Sequence, residues 1–131
     1  MFILHRLRRY MLLTCILTWV AAFVATHVPA ESVPQTGLTE SSSHLLGFLG
    51  LTGVFWGALA AYGTAAGRRM GVAIVVMAVY AAVDEITQGL VRRSPAVSDW
   101  LMDIIGTLCA VAALEAVARL IGVRRSPPPS A

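Results

Sequence analysis

Apolar residues fill four long stretches of this chain, roughly 10–28, 45–66, 70–91 and 99–121, with short polar segments between them. A hydrocarbon core ~30 Å thick is crossed by about 20 helical residues, so each stretch predicts a transmembrane helix. The third qualifies only if its polar end, Asp84 to Gln88, is counted inside. The connections are short apart from Pro29–Ser43, and a short connection between two spans makes them antiparallel neighbours. The pattern predicts an all-α integral membrane protein, an antiparallel bundle of four transmembrane helices, with residues 1–125 as a single domain. The tail Ser126-Pro127-Pro128-Pro129-Ser130-Ala131 cannot continue a helix and is expected to be disordered.

Composition agrees. The 131 residues are 57% hydrophobic and 13% charged, with a mean hydropathy of +0.75, outside the range of a soluble domain. All ten basic residues are arginine. Arg6, Arg8 and Arg9 precede the first span, Arg68 and Arg69 separate the second and third, and Arg119, Arg124 and Arg125 end the fourth. Arginine gathers on the cytoplasmic side of spans. Both termini are therefore expected in the cytoplasm, in a plasma (inner) membrane, with only Arg92 and Arg93 outside. The basic balance is a topogenic and lipid-headgroup signal, which excludes a nucleic-acid reading. Arg8-Arg9 before an apolar core and Val28-Pro29-Ala30 after it also permit a cleaved signal peptide.

The chemistry lies where a bilayer disfavours it. Asp84, Glu85 and Gln88 close the third stretch, and Asp99 and Asp103 open the fourth. A carboxylate at mid-helix costs ~3 kcal/mol on insertion scales, so such residues mark functional sites by default. Asp84, Glu85, Gln88 and Arg92 fall within about a 100° arc of one helix. Asp99, Asp103, Gly106, Ala110 and Ala113 form a similar stripe on the next. Facing each other across a tight hairpin, the two stripes predict a polar cluster near the outer surface between helices 3 and 4. Arg93, carried over the loop, is expected to give Asp84 or Glu85 a bidentate fork. Trp100 is expected to anchor at the interface. His44 lies opposite Gly50, Gly53 and Gly57 on a helical wheel, and joins the cluster only if that face turns toward helices 3 and 4.

Elsewhere the expectations are plainer. Gly53–Gly57 and Gly63–Gly67 are G-x-x-x-G pairs suited to close helix packing. Cys15 and Cys109 read as small packing residues and not as a disulfide. Glu115 and Arg119, four apart, read as an ordinary helix-surface pair. The chain has no Cys/His zinc spacing, Gly-rich phosphate loop or G-x-S-x-G elbow, so the sequence nominates no cofactor, metal ligand or catalytic residue.

Asp84-Glu85-x-x-Gln88, then Arg93-Ser94-Pro95, then Asp99-Trp100-x-x-Asp103-x-x-Gly106 resembles the VanZ-like membrane protein family. Glu40-Ser41-x-x-His44 looks like that family's earlier Asp-Lys-x-x-His element, with Ser41 in place of Lys and Arg92 in place of the loop Gly. The likeness runs from about Glu40 to Gly106 and implies a cell-envelope protein linked by family name to teicoplanin resistance. The expected partners are the lipid bilayer and a lipid headgroup, cell-wall precursor or glycopeptide antibiotic. The expected site is His44, Asp84, Glu85, Gln88, Arg93, Asp99 and Asp103. Two alternatives stand beside this non-enzymatic reading. One is a membrane enzyme on a lipid-linked substrate using Asp84 or Glu85 with His44, where these groups could hold a divalent ion against phosphate. The other is a structural polar network without a ligand.

Overall fold

A computed structural model describes residues 2–29, 32, 37–91 and 93–122. Within them lie four helices: α1 (Phe2–Thr26), α2 (Glu40–Ala61), α3 (Ala66–Gln88) and α4 (Val97–Leu120), with a 3₁₀ turn, Gly89–Val91, extending α3. All four are long and apolar enough to cross a membrane. The architecture is an all-α four-helix bundle. The expected tail and Arg92 lie outside the described residues.

Each helix begins earlier than its apolar stretch, because polar residues cap or extend it. Thr39 caps α2, its hydroxyl accepting the Ser42 N–H at 3.2 Å. This satisfies one of the amides left unpaired at a helix start. At the other end of α2, Gly63 takes φ +78°. Its N–H bonds to Ala60 O, and that of Thr64 to Leu59 O, which is the Schellman arrangement that left-handed glycine permits. Gly63 is thus a turn residue and Gly67 is exposed. The pair Gly63–Gly67 does not form a helix interface, contrary to expectation.

The contacts run up-down-up-down. Thr26 of α1 meets Asp84 of α3, and His44 of α2 meets Asp103 of α4. At the far end Arg8 donates to Ala61 O at 3.0 Å. One end of the bundle therefore gathers the acids and the other gathers arginines. Between them Phe48, Leu51, Met77 and Ala81 form the buried apolar centre, flanked by Trp19, Phe55, Tyr80 and Trp100. Trp19 stacks on Phe55 and Tyr80 with centroids 5.4 and 5.3 Å apart. Trp100 turns inward against this centre instead of serving only as an interfacial anchor.

α2 and α4 approach each other closely at Gly106. A Cβ there would lie 2.4 Å from Leu45 O and 3.1 Å from Leu49 N. Absence of a side chain lets the two backbones touch, as small residues do in membrane helices. The α4 stripe is buried at Asp99, Asp103, Gly106 and Ala110, but Ala113 is exposed. Burial instead continues through Val111, Glu115 and Ala118. Of the other glycine pair, Gly57 faces Met11 of α1 while Gly53 only grazes Leu114. α1 is the loosest element: 6% of its span is buried, against 39% for α4.

Candidate functional site

Twelve residues of loop and helix end separate Asp84 from Val97, yet α4 starts beside the end of α3, with Pro95 packed close to Gly89 of the 3₁₀ turn. The loop is tied by a charge-assisted bond, the Ala96 N–H donating to Glu85 Oε2 at 2.8 Å. That bond fixes the Glu85 carboxylate, and its other oxygen, Oε1, points at His44 Nδ1 from 3.7 Å. His44 Nδ1 lies 3.0 Å from Asp103 Oδ1. His44, Glu85 and Asp103 are all buried, Asp103 completely. The α2 face carrying His44, opposite its glycines, does turn toward α3 and α4, because the close approach that seats the two helices is made by Gly106 on α4. Glu85 Oε1 and Asp103 Oδ2 are buried and have no hydrogen-bond partner among the described residues.

Asp84 belongs to a different neighbourhood, on the α1 side of α3. Thr26 Oγ1 donates to its Oδ1 at 2.8 Å and Gln88 Nε2 to its Oδ2 at 2.9 Å. His27 lies alongside, Nδ1 3.8 Å from Asp84 and Nε2 2.9 Å from Thr87 Oγ1. Both oxygens of this fully buried carboxylate are therefore satisfied, and without an arginine. Asp99 forms a third group, its Oδ1 accepting a short hydrogen bond from the Ser41 hydroxyl at 2.5 Å. Glu40, His44 and Asp99 also place ligand atoms within 4.8 Å of one another.

Arg93 does not provide the expected fork to the acids of the hairpin. Its guanidinium donates to Thr26 O at 2.9 Å and pairs with Glu40 at 2.5 Å. The reason is geometric: Asp84 is already filled by Thr26 of α1 and Gln88 of α3, one oxygen of Glu85 is taken by the backbone of the loop that carries Arg93, and Arg93 itself is held at Thr26 O and Glu40. Arg93 is instead a clip across the ends of α1, α2 and the α3–α4 loop. The sequence reading missed α1 altogether as a source of partners, since Thr26 and His27 are ordinary polar residues at a helix end.

It also misjudged Glu115, which is buried and not paired with Arg119, an exposed residue. Glu115 Oε1 lies 2.7 Å from Arg69 Nη2 and takes bonds from Arg69 Nε at 2.8 Å and Trp56 Nε1 at 2.9 Å. The Arg69 guanidinium sits 4.4 Å over the Trp56 ring and donates to Thr64 O. This is a closed network at the arginine end, joining α2, α3 and α4. The available signal was the one used for Asp84: an ionisable residue inside an apolar span. Cys15 and Cys109 are free, Cys15 buried as expected and Cys109 exposed.

Beside the acid end an apolar groove of about 250 Å³ opens between α3 and α4, lined by Ala82, Glu85, Ile86, Pro95, Val97 and Trp100. Among the described residues Glu85 is its only ionisable lining residue, and it is also a member of the His44–Asp103 cluster. The arrangement can present buried carboxylate oxygens to a polar group whose apolar remainder lies along the helices. The chain matches no protein-family model, no curated protein and no solved structure.

Proposed function

We propose that this chain is a VanZ-like integral protein of the plasma membrane, both termini cytoplasmic, that binds an amphiphile at the outer, acid end of its bundle. The observation that carries the reading is the double membership of Glu85, whose carboxylate lines the apolar groove while belonging to a buried polar cluster. The apolar part of a lipid headgroup region, cell-wall precursor or glycopeptide occupies the groove. Its hydroxyl or cationic groups meet the free oxygens of Glu85 and Asp103. Arg93, engaged by Glu40 and Thr26 O, holds the rim in place instead of contacting the ligand. The arginine distribution supports the orientation, and the linked motifs around the α3–α4 hairpin support the family.

A second reading applies to Asp84, whose two satisfied oxygens favour a structural role. The test is native mass spectrometry of the purified chain with its co-purifying lipids, for wild type and Ala82→Phe, which adds bulk to the groove. The expected result is a bound amphiphile lost from Ala82→Phe at unchanged protein abundance. Equal lipid occupancy in both proteins would sink the groove reading. A processed lipid species that accumulates only with the wild-type chain would move the reading to an enzyme.

A further inference from the structure

We infer that His44, Glu85 and Asp103 form a binding site for one divalent transition-metal ion of the Zn²⁺ or Mn²⁺ kind. One imidazole nitrogen and two carboxylates on three different helices are brought together here, with one ligand atom from each within 4.8 Å of the others. The spacing suits an ion. Metal–ligand bonds of about 2.1 Å in a tetrahedron put neighbouring ligand atoms about 3.4 Å apart. The two distances from His44 Nδ1, 3.0 Å to Asp103 and 3.7 Å to Glu85, fall on either side of that value.

Two further observations point to a ligand and not to a closed network. Glu85 Oε1 and Asp103 Oδ2 are buried acceptors without a donor, whereas each oxygen of Asp84 has one. Glu85 is also oriented from outside the cluster, by the Ala96 N–H on its other oxygen, which is how outer partners aim a metal ligand. Charge balance agrees. Two ionised carboxylates within a membrane-spanning bundle are balanced by two positive charges, of which the imidazole can supply one at most. A divalent ion supplies both and leaves the imidazole neutral, the form in which it ligates. Mixed nitrogen and oxygen donors suit Zn²⁺ and Mn²⁺ better than Ca²⁺ or Mg²⁺, which take oxygen.

The site stands on this geometry alone. Its consequence for the ligand rests on the proposed function and narrows it: because Glu85 is shared with the groove, an ion held there would take the place of the ligand's hydroxyl or cationic group and present positive charge to an anionic headgroup. The test uses the full chain in detergent micelles with added metal as the only probe. The chain is stripped with chelator, titrated with Zn²⁺, Mn²⁺ or Co²⁺, and read by metal content, by visible Co²⁺ absorption and by melting temperature. We expect one-to-one binding, a Co²⁺ spectrum of low coordination number and a melting temperature raised by metal. Asp103→Asn and Glu85→Gln should each lose binding, and Glu40→Gln should keep it. No stoichiometric metal on the wild-type chain overturns the inference, whether or not the variants fold. So does retention by Asp103→Asn with loss in Glu40→Gln, which would assign the ion to Glu40, His44 and Asp99. Metal bound without any amphiphile leaves the ion site standing even if the groove reading fails, and the reverse result separates them equally.

Discussion

Replacing Glu115 by alanine should unfold a large part of the population, because it strands the Arg69 guanidinium in a buried position. Removing one partner of a buried pair costs about 3–5 kcal/mol, mostly from the charge left behind. The measurement is the melting temperature and membrane abundance of Glu115→Ala, compared with the double variant Arg69→Met/Glu115→Leu. An apolar pair of similar volume should recover much of the loss; a double variant as unstable as the single one would show that the charges themselves are required. Arg93 is a contrasting case. Its partner Glu40 is more than half exposed, so Arg93→Lys should cost less than ~1 kcal/mol. A melting temperature unchanged within a few degrees checks it. Both expectations reverse what proximity along the chain suggested. Arg119 is one turn from Glu115 and Arg93 one loop from the acids, but the partners come from other helices. Hydropathy and spacing locate a costly charge; they carry no information on which distant side chain answers it.

At the scale of elements, Gly106 and Gly47 make a matched pair. Gly106→Ala would press a methyl group into the Leu45 carbonyl, whereas a Cβ at Gly47 meets open space. Overpacking of this kind costs about 1–3 kcal/mol, while an alanine in an exposed helix position is neutral or slightly favourable. Thermal melts of the two variants in one detergent test the contrast, and equal melting temperatures would mean that α2 and α4 are not held in contact there. The four helices themselves were legible because a run of about 20 apolar residues has few other uses. Their ends were less so: Thr39, Glu40 and Arg6 to Arg9 are polar, and a hydropathy reading stops where a cap or an arginine-bearing turn begins. The acid stripe of α4 was legible at Asp99, Asp103 and Gly106. It failed at Ala113 because real burial drifts around the helix toward Val111 and Glu115.

For the whole molecule, the proposed orientation makes a direct prediction. A cysteine at Ser42, in a chain lacking Cys15 and Cys109, should react with an impermeant reagent from outside intact cells, and one at Ser126 should react only after lysis. Labelling of position 126 in intact cells reverses the topology. The assembly of the site also follows from the whole fold, since His44, Glu85 and Asp103 come from three helices and no local pattern foretold that the α2 face opposite its glycines would turn inward. These three helices hold the cluster without α1, whose span is 6% buried and many of whose apolar side chains, among them Leu13, Leu17 and Val20, face outward, while Trp19 turns inward. A helix that contributes so little packing is expected to insert independently and dock onto the other three. The remaining three form a tripod around His44, Glu85 and Asp103, with α1 as a strut whose one hydrogen bond to an acid, among the described residues, runs from Thr26 to Asp84. Residues 37–122 and residues 1–36 produced as separate chains should therefore reassemble in one membrane, and the tripod alone should keep its helical content while melting earlier.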